Sequence, residues 1–148
     1  MANWCTNYLE ITGEPSELKQ LIEVCKGKEA GLPTNMSFSA IVPSDKPYTG
    51  DWCIDNWGTK WESDVDRIFD EEIENGILSY QFETAWGVSL PVSDKLATLF
   101  PELKFKHTYY EMNMDYSGVV EWENGIRISE KEGTYEEYAI NWEDEDDF

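Results

Sequence analysis

Ile77-Leu78-Ser79-Tyr80-Gln81-Phe82-Glu83-Thr84-Ala85-Trp86 is the stretch on which the fold turns. Leu78, Tyr80, Phe82, Thr84 and Trp86 recur at every second position, and a period of two places them on one side of a strand. Pro91, a candidate cap at Ser93, and Val92, Leu96, Leu99 and Phe100 then specify a short helix that Pro101 closes. Leu103 to Tyr110 alternates again, with Phe105, His107 and Tyr109 sharing a face. Strand, helix, strand is thus written in one continuous run.

The same phrase opens the chain. Tyr8 to Thr12 alternates, Gly13-Glu14-Pro15 breaks the run, and Leu18, Leu21, Ile22 and Cys25 follow at helical spacing until Gly27. Met36 to Val42 reads as a second strand with Phe38, Ala40 and Val42 on one face, ended by Pro43 and Pro47. Residues 64–74 read either way. Val65, Ile68, Phe69 and Ile73 suit a short helix, whereas the following Asn75-Gly76 is a hairpin turn that makes the same segment a strand. Toward the C-terminus, Val120 and Trp122 oppose Glu121 and Glu123, Asn124-Gly125 turns the chain, Ile126 and Ile128 return, and Tyr138, Ile140 and Trp142 form a last alternating run. The order predicts an α+β domain of the split βαβ, or ferredoxin-like, kind: two layers, both helices on one sheet face, and a C-terminal antiparallel meander. No repeat or linker divides residues 1–148, so a single domain is expected, with an acidic extension from about 134 that ends in five consecutive acids, Glu143 to Asp147.

Several motifs in one order carry a family likeness. Asn3-Trp4-Cys5-x-Asn7-x-Leu9-x-Ile11-x-Gly13, the Phe38 to Pro43 segment, Asn56-Trp57-Gly58-Thr59-Lys60-Trp61, Phe82-Glu83-Thr84-Ala85-Trp86 and Met114-Asp115-Tyr116-Ser117-Gly118-Val119 resemble the YubB-type ferredoxin-like domain family over about Met1 to Ile128. Residues 62–76 are longer than that pattern, and the chain beyond Gly133 lies outside it. The resemblance implies a ferredoxin-like fold without an iron-sulfur cluster, borne mostly by plasmids and phages, with no established activity and no catalytic residues to transfer.

Composition narrows the function classes. The chain has 148 residues and a net charge of -20, so counterion release opposes DNA or RNA binding, and an anionic membrane is equally disfavoured. Met1 to Cys5 lacks the basic and apolar regions of a secretory signal, which places the expected site of action in the cytoplasm. Cys5, Cys25 and Cys53 are odd in number and widely spaced, as expected of reduced, buried thiols; none forms the short-spaced pair of a zinc site with His107. No cofactor is expected.

The chain contains no Gly-x-Ser-x-Gly, P-loop or H-E-x-x-H pattern, and its single histidine sits in a strand. Asn113-x-Asp115-x-Ser117-Gly118 matches part of a calcium loop, but Asn113 and Asn124 stand where the loop needs Asp and a bidentate Glu. A plain strand connection with Gly118 as its bend is the reading that remains. Trp52, Trp57, Trp61 and Trp86 fall in or beside loops. They serve either as a lid on the core or, with Asn56 and Lys60, as a pocket that stacks a planar ligand such as a nucleotide.

Charge is the remaining signal. From Glu111 to Phe148 there are 13 acids against Arg127 and Lys131, so this quarter holds -11 of the -20. Glu121 and Glu123 project from one strand face, and Glu130, Glu132, Glu136 and Glu137 are the candidates to extend them into rows of anions. The leading expectation is a non-enzymatic interaction module of a mobile element, an acidic nucleic-acid mimic that engages a host protein through its basic nucleic-acid-binding surface. The alternative is the tryptophan-lined ligand pocket.

Overall fold

In the computed structural model, residues 4–26, 35–44, 49–59 and 64–135 are described. They form, in chain order, β1 (Trp4–Thr12), α1 (Pro15–Cys25), α2 (Phe38–Ile41), α3 (Gly50–Trp57), β2 (Asp64–Glu72), a 3-10 turn (Ile73–Asn75), β3 (Ile77–Ala85), α4 (Leu90–Leu99), β4 (Lys104–Glu111), β5 (Tyr116–Glu123) and β6 (Ile126–Gly133). The sheet runs β2-β3-β1-β4-β5-β6, with every neighbouring pair antiparallel. Its first four strands have the ferredoxin-like order, and β5 and β6 extend that sheet beyond β4.

The alternation in 77–86 performs as its period requires. Leu78, Tyr80 and Phe82 are buried beside Leu9 and Ile11 of β1 and Phe105 of β4, under Leu18 and Leu21 of α1 and Leu96 of α4. Both long helices therefore cover one face, and their apolar stripes close a single core. Among the described residues, no helix is long and apolar enough to cross a membrane. Asn124 and Gly125 take φ values of 56° and 81°, the left-handed pair that a two-residue hairpin needs.

Four local readings change. Met36 to Val42 is not a strand: Phe38 and Ile41 are the buried pair, three residues apart, and Ala40 is exposed. Ser37 caps this turn of helix by accepting from the Ala40 amide at 3.2 Å, a local bond that overrides the short alternating pattern. The strand that pairs with β3 is instead 64–72, which resolves the open choice there. Its pairing is bulged twice, between Asp64 and Arg67 and between Ile68 and Asp70, so its apolar residues fall out of period two. The N-cap position of α4 is Ser89, whose side chain makes no cap bond, and not Ser93, and Trp86 has left the apolar side of β3 to stand 51% exposed. Gly118 does not bend a loop; it lies within β5, where an added Cβ would be 2.3 Å from the Tyr109 hydroxyl. The run at Tyr138 to Trp142 and the tail lie outside the described residues.

The helical reading of 38–41 has a direct test. Ser37→Ala removes the cap and is expected to lower the unfolding free energy by about 1 kcal/mol in chemical denaturation; a strand at this position would leave it within experimental error.

Candidate functional site

Among the described residues, a constellation with the residue types of nucleophilic catalysis is sealed in the core. His107 projects from β4 into the core and is 0% exposed, with Ser93 and Asn7 at 1% and 0%. The Asn7 Nδ2 group donates to the Cys5 carbonyl and to Thr84 Oγ1, at 3.1 and 2.9 Å. That leaves Asn7 Oδ1, an acceptor only, facing His107 Nε2 at 2.7 Å, so Nε2 carries the proton and Nδ1 accepts from the Ser93 hydroxyl at 2.7 Å. Thr84 continues the chain by donating to the Gly87 carbonyl at 2.5 Å. Phe82, Tyr109 and Trp122 surround the ring. Burial depresses the histidine pKa to about 3, which keeps the ring neutral and structural. The residue types match a Ser–His–Asn relay, but no substrate reaches them.

Cys5, Cys25 and Cys53 are free and buried, and burial raises the Cys5 and Cys25 thiols to about 12, so neither supplies a thiolate at neutral pH. Among the described residues, no three His, Cys, Asp or Glu side chains gather as a metal site. The Asn113 to Asp115 loop is a strand connection whose amides are held by the Glu111 carboxylate: Asn113 N donates to it at 3.1 Å and Met114 N at 2.5 Å.

The tryptophans separate. Trp57 is 2% exposed, donates its Nε1 to the Val42 carbonyl at 3.0 Å, and meets Phe38 and Trp52 edge to face at 5.7 and 5.5 Å. It is a lid on the core. Trp52 is half-buried against it, and Asn56 returns its amide to the Trp52 carbonyl at 2.9 Å. Gly58, at φ 81°, ends α3 against the Val88 carbonyl and Pro91, and Thr59 donates to the Ala85 carbonyl at 2.6 Å. Trp86 sits apart, on the turn after β3. Lys60 and Trp61 lie outside the described residues.

The acids separate too. Glu121 and Glu123 project from the face of β5 away from the helices, where Glu121 pairs across the ladder with Lys106 and Glu123 bridges Lys104 at 3.2 Å. Glu130 and Glu132 pair with Val120 and Gly118 and so occupy the opposite, helix-side face. Glu130 is bound by Arg127 at 2.7 Å, and Arg127 grips Asp94 through Nε and Nη2 at 2.8 and 2.6 Å. Asp94 also accepts from Trp122 Nε1 at 2.8 Å. Glu136 and Glu137 lie outside the described residues. Among the described acids of the meander, Glu121, Glu123 and Glu130 thus have Lys106, Lys104 and Arg127 as neighbours, while Glu132 is exposed.

A more concentrated field lies at the other edge of the sheet. Between Asp64 and Glu74 six acids, Asp64, Asp66, Asp70, Glu71, Glu72 and Glu74, stand against Arg67, a net of -5 in 11 residues. Glu71, Glu72 and Glu74 are exposed, Glu74 with Lys19 at 3.6 Å, and β2 is an edge strand. Charge on an edge strand also blocks pairing with other chains. Composition alone could have revealed this cluster, but only the sheet order makes it an edge. On the described surface a groove of about 620 Å³ is lined by Pro43, Ser44, Trp52 and Asn56, and two others lie elsewhere. One, of about 540 Å³, lies on the helix-free face between Glu10, Ile77, Lys104, Lys106, Glu121 and Ile128. The other, of about 670 Å³, is lined by Trp86, Gly87, Val88, Tyr109, Tyr116 and Glu132, among others.

With this geometry in hand, known proteins are informative. A family described as the ferredoxin-like domain in Api92-like protein matches residues 56–148. A crystal structure of protein api92 from Yersinia pseudotuberculosis superposes with a TM-score of 0.67 at 10% identity, covering 95% of this chain and 100% of that one. At that identity the likeness is one of fold. No curated protein matches the sequence.

Proposed function

The chain belongs to the family of ferredoxin-like domains in Api92-like proteins, and on that footing we propose that it is a non-enzymatic protein-binding module. It engages a basic surface that otherwise holds a polynucleotide. The carrying observation is the acidic outer strand β2 with its turn, net -5 over residues 64–74, on a body of net charge -20. Opposite fields accelerate encounter with a cationic cleft and disfavour nucleic acid itself. The burial of His107 with Ser93 and Asn7 supports the non-enzymatic part, because the relay most suited to chemistry serves the core instead. The YubB-type likeness, the mobile-element setting and a cytoplasmic site of action belong to the same proposal.

This reading puts the contact on β2, whereas the sequence expectation puts it on the C-terminal meander, whose Glu136 and Glu137 lie outside the described residues. The test is capture of nucleic-acid-binding proteins from host lysate on the immobilised chain, with a salt series and competition by duplex DNA. Captured protein is expected to be released by moderate salt, to be displaced by DNA, and to be lost with the Glu71→Lys, Glu72→Lys, Glu74→Lys triple variant. The Glu121→Lys, Glu123→Lys variant is expected to retain most capture, because lysines already stand beside those two acids. Capture indifferent to salt, to DNA and to the triple reversal sinks the reading.

A further inference from the structure

Trp86 is held in a conformation that its bulk disfavours. Its φ is 68°, in the left-handed region that large side chains rarely adopt, and yet the indole is 51% exposed. The turn is imposed from both sides, by Thr59 on the Ala85 carbonyl and Thr84 on the Gly87 carbonyl, and it stands the ring half in solvent. Such strain persists where surroundings impose it and is frequent at binding sites.

The indole lines the 670 Å³ groove together with Tyr109 and Tyr116. The two tyrosine rings lie 6.1 Å apart at 57°, so they present faces at an angle to each other. Tyr109, 5% exposed, forms the floor, and it reaches that position because residue 118 is glycine: a Cβ there would also lie 2.7 Å from the Lys131 carbonyl. Burial raises the pKa of both phenols, so both rings stay neutral with their electron-rich faces intact. Glu132 pairs with Gly118 across the β5–β6 ladder and is exposed, which puts a carboxylate at the mouth on the face that carries Tyr109. Glu111 stands behind Tyr116, its carboxylate engaged by two loop amides. Arg127, the cation that bears on Tyr109, is bound to Asp94 and Glu130.

Three aromatic rings and a carboxylate around a groove with no lysine or arginine among the described residues of its wall are the surroundings a cation seeks. We infer that this groove is an aromatic cage for one arginine side chain of a partner protein. A guanidinium stacks flat on an indole or phenol while its edge donates to a carboxylate, which an ammonium does less well. The inference rests on the reading above only for who presents the arginine; the cage itself does not require the β2 edge.

The experiment follows the tryptophan indole N–H resonances of the full chain during titration with an acetylated, amidated Gly-Arg-Gly peptide, its citrulline isostere and its lysine counterpart. The Trp86 resonance, identified by its loss in Trp86→Ala, is expected to shift saturably with the arginine peptide, with citrulline binding about tenfold weaker and lysine in between. Glu132→Gln is expected to weaken the arginine peptide severalfold. Trp86→Gly, which suits the left-handed φ, is expected to unfold no earlier on heating than Trp86→Ala while losing the peptide. Equal binding of citrulline, which would make the groove a neutral stacking site, or the absence of a saturable shift, overturns the cage. Peptide binding alongside salt-indifferent capture leaves the cage standing and the β2 reading failed; salt-sensitive capture without peptide binding does the reverse.

Discussion

Replacing Trp57 with alanine is expected to lower the unfolding free energy by about 3–5 kcal/mol, the range for deleting a large aromatic from a core that collapses only partly. The indole closes the end of the core that the two long helices leave open. Phe38 and Trp52 pack against its edges and faces, and its N–H supplies the partner of the Val42 carbonyl. Removing it strands that carbonyl and uncovers Phe38, which in turn leans on Phe82 of β3 at 5.9 Å. Trp57→Phe keeps most of the volume and loses the hydrogen bond, so a loss of only about 1 kcal/mol is expected beyond the small volume change. Denaturant titrations of the three proteins separate the terms. An alanine variant within 1 kcal/mol of the parent would contradict a core lid and revive a tryptophan-lined ligand pocket at this position.

The second large effect is a pH dependence. His107 has its folded pKa depressed from 6.5 to about 3 by burial, so the unfolded chain takes up a proton below pH 6.5 that the folded chain refuses. The neutral ring's contribution is complete above pH 6.5 and is lost as pH falls from there toward 3, at about 1.4 kcal/mol per pH unit. At pH 5 the expected loss is ~2 kcal/mol. Carboxylates titrate lower in the range, so the comparison is with His107→Gln, which offers a donor to Asn7 and an acceptor to Ser93 but carries no proton equilibrium. Stability of the parent is expected to fall between pH 6.5 and 5, while the glutamine variant stays nearly flat across that window. Parallel profiles would show that His107 is not held neutral.

The elements legible in sequence were those where local pattern and tertiary surroundings agree. β3, α4 and β4 alternate or repeat cleanly because the same residues that fix the period also fill the core, and Asn124-Gly125 encodes its turn outright. Reading failed where a side chain acted on the backbone. Ser37 caps a helical turn across what looked like a strand, and two bulges hide the period of β2. The site suffered differently. Glu121 and Glu123 do share a face, as their spacing requires, but spacing within a strand carries no information about Lys104 and Lys106 on the strand beside it.

By itself, then, the sequence determined the α+β class, the second strand–helix–strand unit and a net charge of -20, because periodicity and charge are properties of a chain read in order; the return strand of the first unit it did not, because the bulges of β2 hide its period. Tertiary structure alone decided that His107 is sealed, that the acids of β5 face lysines, and that Trp86 leaves its strand to line a groove with Tyr109 and Tyr116. Those outcomes depend on which strands become neighbours. Neighbourhood across a sheet is set by the closing of the whole core, and residues far apart in the chain meet only then.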